Sequence, residues 1–122
     1  MVIKVSIKGI EETKKIIQEK GRATVEKLNV GIQQATIFLD GEIKTSIARG
    51  INAPVAVDTG RFLNSVGYDF PQLLQGVIMA NVDYAGFIEY GTSKMAPRPH
   101  FRNTLIVNNE KVKQFIGEKL KE

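Results

Sequence analysis

A single histidine, His100, and a complete absence of cysteine bound what the side chains of this sequence can do chemically. Thiolate metal sites and cysteine nucleophiles are excluded, and one imidazole with no second histidine beside it makes a poor zinc site. A nucleophilic triad would need His100 folded against a serine and a carboxylate, but no Gly-x-Ser-x-Gly elbow surrounds any serine. Flanked by Pro99 and Phe101, His100 reads as a partly exposed or helix-starting residue. Asp58, Asp83 and Glu89 are the carboxylates nearest the motif-rich half, and each has a capping, turn or ion-pair explanation. Gly91-Thr92-Ser93-Lys94 holds the residue types of a phosphate cradle in the wrong order, because a P-loop needs Gly, four residues, then Gly-Lys and Ser or Thr. The expectation is a chain with no cofactor and no metal.

Binding offers more than catalysis. Lys94, Arg98 and Arg102 bring three cations into and just after a proline-containing loop, a group able to grip phosphate or an acidic protein face. The plain alternative is a solvated loop. Tyr84, Phe87 and Tyr90 could stack on bases, but their helical spacing assigns them to core and rim. The overall balance of 17 Lys and Arg against 13 Asp and Glu gives +4, with basic residues interleaved among acids instead of clustered as in dedicated duplex binders. A small basic DNA-binding module using Lys94, Arg98 and Arg102 is therefore the alternative reading.

The elements that must position these residues follow from hydrophobic period. At 122 residues one domain with a real core is expected. Residues 2–8 alternate Ile3, Val5 and Ile7 with Lys4, Ser6 and Lys8, the signature of a half-buried strand. No run is apolar enough for a signal sequence or a membrane span, so a soluble cytoplasmic protein is expected. From Glu11 to about Arg49 the steps become three and four: Ile17, Gly21, Val25, Leu28, Ile32, Ala35, Leu39, Ile43 and Ile47 form one face. Unbroken, such a helix spans about 55 Å, so part of it must project or bend, with Gly21, Gly31 and Gly41 as the weak points. A second apolar row, Ala23, Val30 and Ile37, runs roughly opposite, as a contact either with a loop of the same chain or with another subunit.

Residues 50–60 read as a loop. Phe62–Phe70 and Leu73–Asn81 read as two strands of a hairpin turning at Pro71-Gln72. Tyr84, Phe87 and Ile88 suggest one or two helical turns between Asp83 as N-cap and Gly91 as stop, followed by an extended loop over 92–99. From Pro99 a C-terminal helix is expected on Leu105, Val112, Phe115, Ile116 and Leu120. The fold class is α+β: N-terminal strand, long helix, antiparallel sheet with hairpin, short helix, C-terminal helix.

Three motifs recur in order: Asp58-Thr59-Gly60-Arg61-Phe62; then Tyr84-Ala85 leading into Glu89-Tyr90-Gly91-Thr92-Ser93-Lys94-Met95; then Pro97-Arg98-Pro99-His100-Phe101-Arg102. In this order and spacing the chain resembles the tail-component or head–tail joining family of long-tailed bacteriophages and prophages. The resemblance extends to the Gly9-Ile10-Glu11 turn and the long helix, with its specific part at 58–105. The loop before Asp58 looks two residues longer than the family's usual form, and His100-Phe101 replaces two bulky apolar residues. The resemblance implies a non-enzymatic α+β virion subunit, made in the bacterial cytoplasm, that contacts other tail, connector or head-completion proteins and forms a homo-oligomeric ring. In physical terms Thr59-Gly60 supplies a turn, Gly91 stops the short helix, and Pro97 and Pro99 hold the loop extended. On this view Ala23, Val30 and Ile37 face a neighbouring subunit, while Thr92, Ser93, Lys94, Met95, Arg98, His100 and Arg102 engage the next ring.

Overall fold

The structure is a computed structural model that describes residues 2–6, 18–19, 21–54 and 59–121. Its longest element is helix α1, Arg22–Arg49, about 42 Å of helix at 1.5 Å per residue. Val25, Ile32, Ala35, Leu39, Ile43 and Ile47 along its main stripe are all buried, as the three-and-four spacing requires. Gly21 stops the helix at its start: its φ of 79° and ψ of 165° lie in a region essentially reserved for glycine. The single helix expected from Glu11 is therefore interrupted, although Gln18 and Glu19 are helical. Residues 11–17, with Ile17, and the turn at Gly9-Ile10-Glu11 lie outside the described residues. At the other end Gly50 adopts the left-handed conformation and its N–H reaches Ser46 O at 2.8 Å, a glycine stop. Gly31 and Gly41 stay inside the helix.

The hairpin forms, but later in the chain than the expected Phe62–Phe70 strand. Thr59–Ser65 is helix α2, and only Val66–Asp69 (β2) and Gln75–Ala80 (β3) are strands. Phe62 and Val66 are spaced i, i+4 and both buried, and the Ser65 hydroxyl bonds Phe62 O at 2.7 Å. Phe62 falls in α2 and Val66 opens β2, so the run expected as one strand is divided between a helical turn and a short strand. Strand β1, Val2–Ser6, joins the other edge, giving an antiparallel sheet in the order β1-β3-β2 with Ile3 opposite Ile78 and Tyr68 opposite Ile78 across the two ladders.

α1 lies across this sheet. Gly76 of β3 faces Thr36, whose side chain occupies the space a Cβ at Gly76 would need. Thr36 satisfies its hydroxyl on Ile32 O at 2.8 Å. The larger core joins Leu39, Ile43 and Ile47 of α1 to Phe62, Val66, Ile78, Ile88 and Phe101, with Phe62 and Phe101 stacked at 6.4 Å. A smaller one joins Val25 and Ile32 to Leu74. Each fully buried side chain of this size contributes about 1.5–3 kcal/mol before entropy is charged against it.

Two helices, not one, close the chain: α4, His100–Val107, and α5, Asn109–Lys121, the label α3 belonging to Ala85–Tyr90. Asn108 separates them, turning both its N–H and its side-chain amide onto Thr104 O at 3.1 and 2.9 Å. α5 then returns along α1. A Cβ built on buried Gly31 would sit 3.0 Å from Ile116 Cα, and Phe38 meets Phe115 at 5.2 Å, so glycine here permits a close helix crossing. Among the described residues no helix is long and apolar enough to cross a membrane.

Candidate functional site

The second and third motifs meet in space through one carboxylate. Glu89, in the last turn of α3, is 1 % exposed. One of its oxygens accepts the Phe101 N–H at 3.0 Å; the other accepts the Arg102 N–H at 3.0 Å and Arg102 Nε–H at 3.2 Å. Helix α4 has no side-chain cap of its own, so a carboxylate from twelve residues upstream serves its unpaired first-turn donors and its positive dipole end. Arg102 Nη2–H also donates to Glu89 O at 3.2 Å, and the guanidinium lies over the Tyr90 ring at 5.2 Å.

Between these anchor points the loop closes on itself. Gly91 takes φ 77° and ψ 176°, and a Cβ there would lie 2.8 Å from Pro97 N and 2.9 Å from Met95 O. Only glycine fits both the dihedrals and the space. Its N–H ends α3 on Phe87 O at 2.8 Å, Thr92 and Met95 exchange backbone bonds, and Arg98 N–H reaches back to Ile88 O at 2.6 Å. Pro97 and Pro99 sit where no N–H is called for.

The proposed contact residues divide accordingly. Thr92, Ser93 and Lys94 are exposed, Met95 and Arg98 half-buried with Arg98 Nη1 3.2 Å from Met95 Sδ, and Arg102 is tied to Glu89. His100 is 0 % exposed, so it cannot be a surface contact of this loop and is not partly exposed, although it does start α4. In the first motif, Arg61 lies over the Tyr84 ring at 5.4 Å and so joins it to the second. Thr59 and Gly60 begin α2, and Gly60 is not among the positive-φ glycines, so the expected turn there is helix instead. Asp58 lies outside the described residues.

His100 anchors a buried polar network that linear sequence does not reveal. Its Nε2–H can only donate to Pro54 O, at 3.0 Å, leaving Nδ1 to accept the Ser46 hydroxyl at 2.8 Å. Ser46 Oγ in turn accepts the Asn52 N–H at 3.1 Å, Asn52 Nδ2–H donates to Thr104 Oγ1 at 2.9 Å, and Asn103 Nδ2–H to Asn52 O at 2.8 Å. These bonds fasten the 50–54 loop between α1 and α4. Burial pushes the His100 pKa down, opposed by the Pro54 carbonyl and Glu89 and assisted by Arg98. A serine bonded to a histidine is the start of a nucleophilic pair, but Ser46 and His100 are both completely buried, so neither presents a face to a substrate.

The second apolar row is on the surface. Ala23, Val30 and Ile37 are exposed, the latter two at 40 % and 47 %. Lys44 and Ala48 extend the same side of α1 into an open groove of about 470 Å³ shared with Leu63 and Asn64 of α2. On α3 the buried residues are Ala85, Ile88 and Glu89. Tyr84 packs against the core, while Phe87 and Tyr90 are outward. Comparison with protein-family models, curated proteins and solved structures finds no match for the chain.

Proposed function

We propose that this chain is a non-enzymatic structural subunit of a tailed bacteriophage or prophage, acting in tail completion or at the head–tail junction through protein–protein contacts repeated around the tail axis. The observation that carries the reading is the closure of the motif loop. Glu89, Gly91, Pro97 and Pro99 hold residues 90–100 in one shape and turn Thr92, Ser93 and Lys94 outward. A rigid presented loop lowers the ordering cost of docking, which is what an assembly contact requires.

The ordered motifs supply the virion context, and the exposed row on α1 supplies a surface for a neighbouring copy. The DNA-binding reading draws less support, because Arg102 already spends Nε and Nη2 on Glu89. The test is inactivation of the gene and inspection of the lysate. Separated full heads and tails are the expected result for joining, and absent or overlong tails for completion. Normal infectious virions contradict both.

A further inference from the structure

The 50–54 loop that leaves α1 is held by polar bonds far more than by apolar burial. Ile51 is 60 % exposed and Pro54 is exposed, so the one buried apolar side chain in the segment is the methyl group of Ala53. A methyl contributes a small part of what a buried Leu or Ile would. The fastenings are hydrogen bonds: Ile51 N–H to Ser46 O at 3.3 Å, Asn52 N–H to Ser46 Oγ, the Asn52 and Asn103 amides to Thr104 Oγ1 and Asn52 O, and His100 Nε2 to Pro54 O. A segment with few apolar contacts opens locally at a lower free energy than the core around it.

His100 joins these fastenings at both ends of the loop, bonding Pro54 directly and Asn52 through Ser46 Oγ. The arrangement suits a neutral ring. Nε2–H donates to the Pro54 carbonyl, which leaves the Nδ1 lone pair to accept the Ser46 hydroxyl. A proton added at Nδ1 occupies that lone pair, deprives the Ser46 hydroxyl of its acceptor, and places a charge on a side chain that is 0 % exposed. Neighbouring charges do not relieve it. From α1 the ring meets the uncharged Ser46 hydroxyl and from the loop the Pro54 carbonyl; Glu89 of α3 favours the imidazolium and Arg98, before α4, opposes it. Burial outweighs both, and the pKa is pushed down.

We infer that the 50–54 loop is a proton-operated latch: protonation of His100 lifts the loop from α1 and α4 while the sheet and both apolar cores stay folded. Pro54, against the Nε2 edge, is itself exposed, so lifting it brings water to the ring. That hydration is what the closed state denies the imidazolium. Closed, the loop fastens α1 to α4 by side-chain bonds; open, it leaves them joined through Ile43, Ile47 and Phe101 of the larger core. The latch operates within one chain, whatever assembly the chain joins.

The sequence has one histidine, so its ring signal in an NMR spectrum is unambiguous. Amide exchange of Ile51 and Asn52 is followed from pH 7.5 to 5.5 beside that of the β2–β3 ladder. The expected protection of the two loop amides lies at least about a hundredfold below the ladder's. It falls by up to about tenfold for each pH unit below 6.5, and His100→Gln removes that slope. Loop and ladder amides equally protected at every pH would mean that protonation unfolds the whole chain, and would overturn the latch. A loop profile flat with pH, or a slope that survives in His100→Gln, overturns it too. Should His100→Gln fail to fold, the parent's ring signal decides: it must titrate below 6.5, together with the loop opening, and a ring titrating at or above 6.5 with the loop closed contradicts the proposal.

Discussion

The carboxylate of Glu89 accepts the backbone N–H of Phe101 at 3.0 Å, so a residue in the last turn of α3 caps the start of α4 across the whole motif loop. Because the neighbouring Arg102 N–H and Nε–H share the same carboxylate, removing it leaves several donors unpaired at once. Glu89→Ala is expected to cost about 2–4 kcal/mol and Glu89→Gln, which keeps one acceptor oxygen, about 1–3 kcal/mol. Urea unfolding midpoints check both values, and a shift below a few tenths of a molar for Glu89→Ala would contradict the capping role.

Gly91 and Gly41 should respond in opposite directions to the same substitution. Gly91→Ala places a Cβ within 3 Å of Pro97 and Met95 in a backbone conformation that excludes it, a loss of at least about 1–3 kcal/mol. Gly41→Ala meets nothing within 4 Å and gains up to about 1 kcal/mol of helix propensity. Gly31→Ala makes the same gain but presses on the α5 backbone at Ile116, so it should fall short of Gly41→Ala. Thermal melting of the three variants orders them.

The buried histidine predicts how stability follows pH. Burial lowers the folded-state pKa of His100 below its ordinary 6.5, so the unfolded chain takes up the proton first. The contribution of His100 is therefore complete above about pH 6.5 and is lost as pH falls from there toward the lowered folded value. In protonated His100 both ring nitrogens donate, and Ser46 Oγ would have to accept from Nδ1 while already accepting from Asn52. Unfolding measured from pH 7.5 to 5.5 should show a slope that His100→Gln reduces; an unchanged slope would contradict it.

Charge placed on the exposed row should separate assembly from folding. Val30→Asp with Ile37→Asp changes side chains already 40 % and 47 % exposed, so the isolated chain should unfold within roughly 1 kcal/mol of the parent. Self-association and incorporation into particles should both fall. Intact assembly with unchanged oligomer size would remove α1 from the interface.

The legible part of the fold was what hydrophobic period encodes: the α1 stripe, the exposed Val30–Ile37 row, the β2–β3 hairpin and the stop at Gly91 all follow from spacing and glycine chemistry. Period failed where it is ambiguous. Phe62 and Leu63 fit a strand or a helix equally well over so short a run; residues 59–65 are helix, and the strand begins only at Val66. The 100–121 stretch read as one helix because nothing in the residue types announced that Asn108 would turn back on Thr104. At the motifs, sequence pointed to Glu89 with a capping or ion-pair role, and the structure gives it both. It missed the inward turn of His100, since Ser46 and Pro54 lie 54 and 46 residues away and no local pattern encodes such pairing.

The central claim, that this chain is a virion assembly subunit, is tested most directly on purified particles from the host element. Quantitative mass spectrometry of gradient-purified virions or tails should find the chain at a fixed stoichiometry to the major tail protein, retained through a high-salt wash. Its absence from particles, or a trace amount removed by salt, would contradict the account.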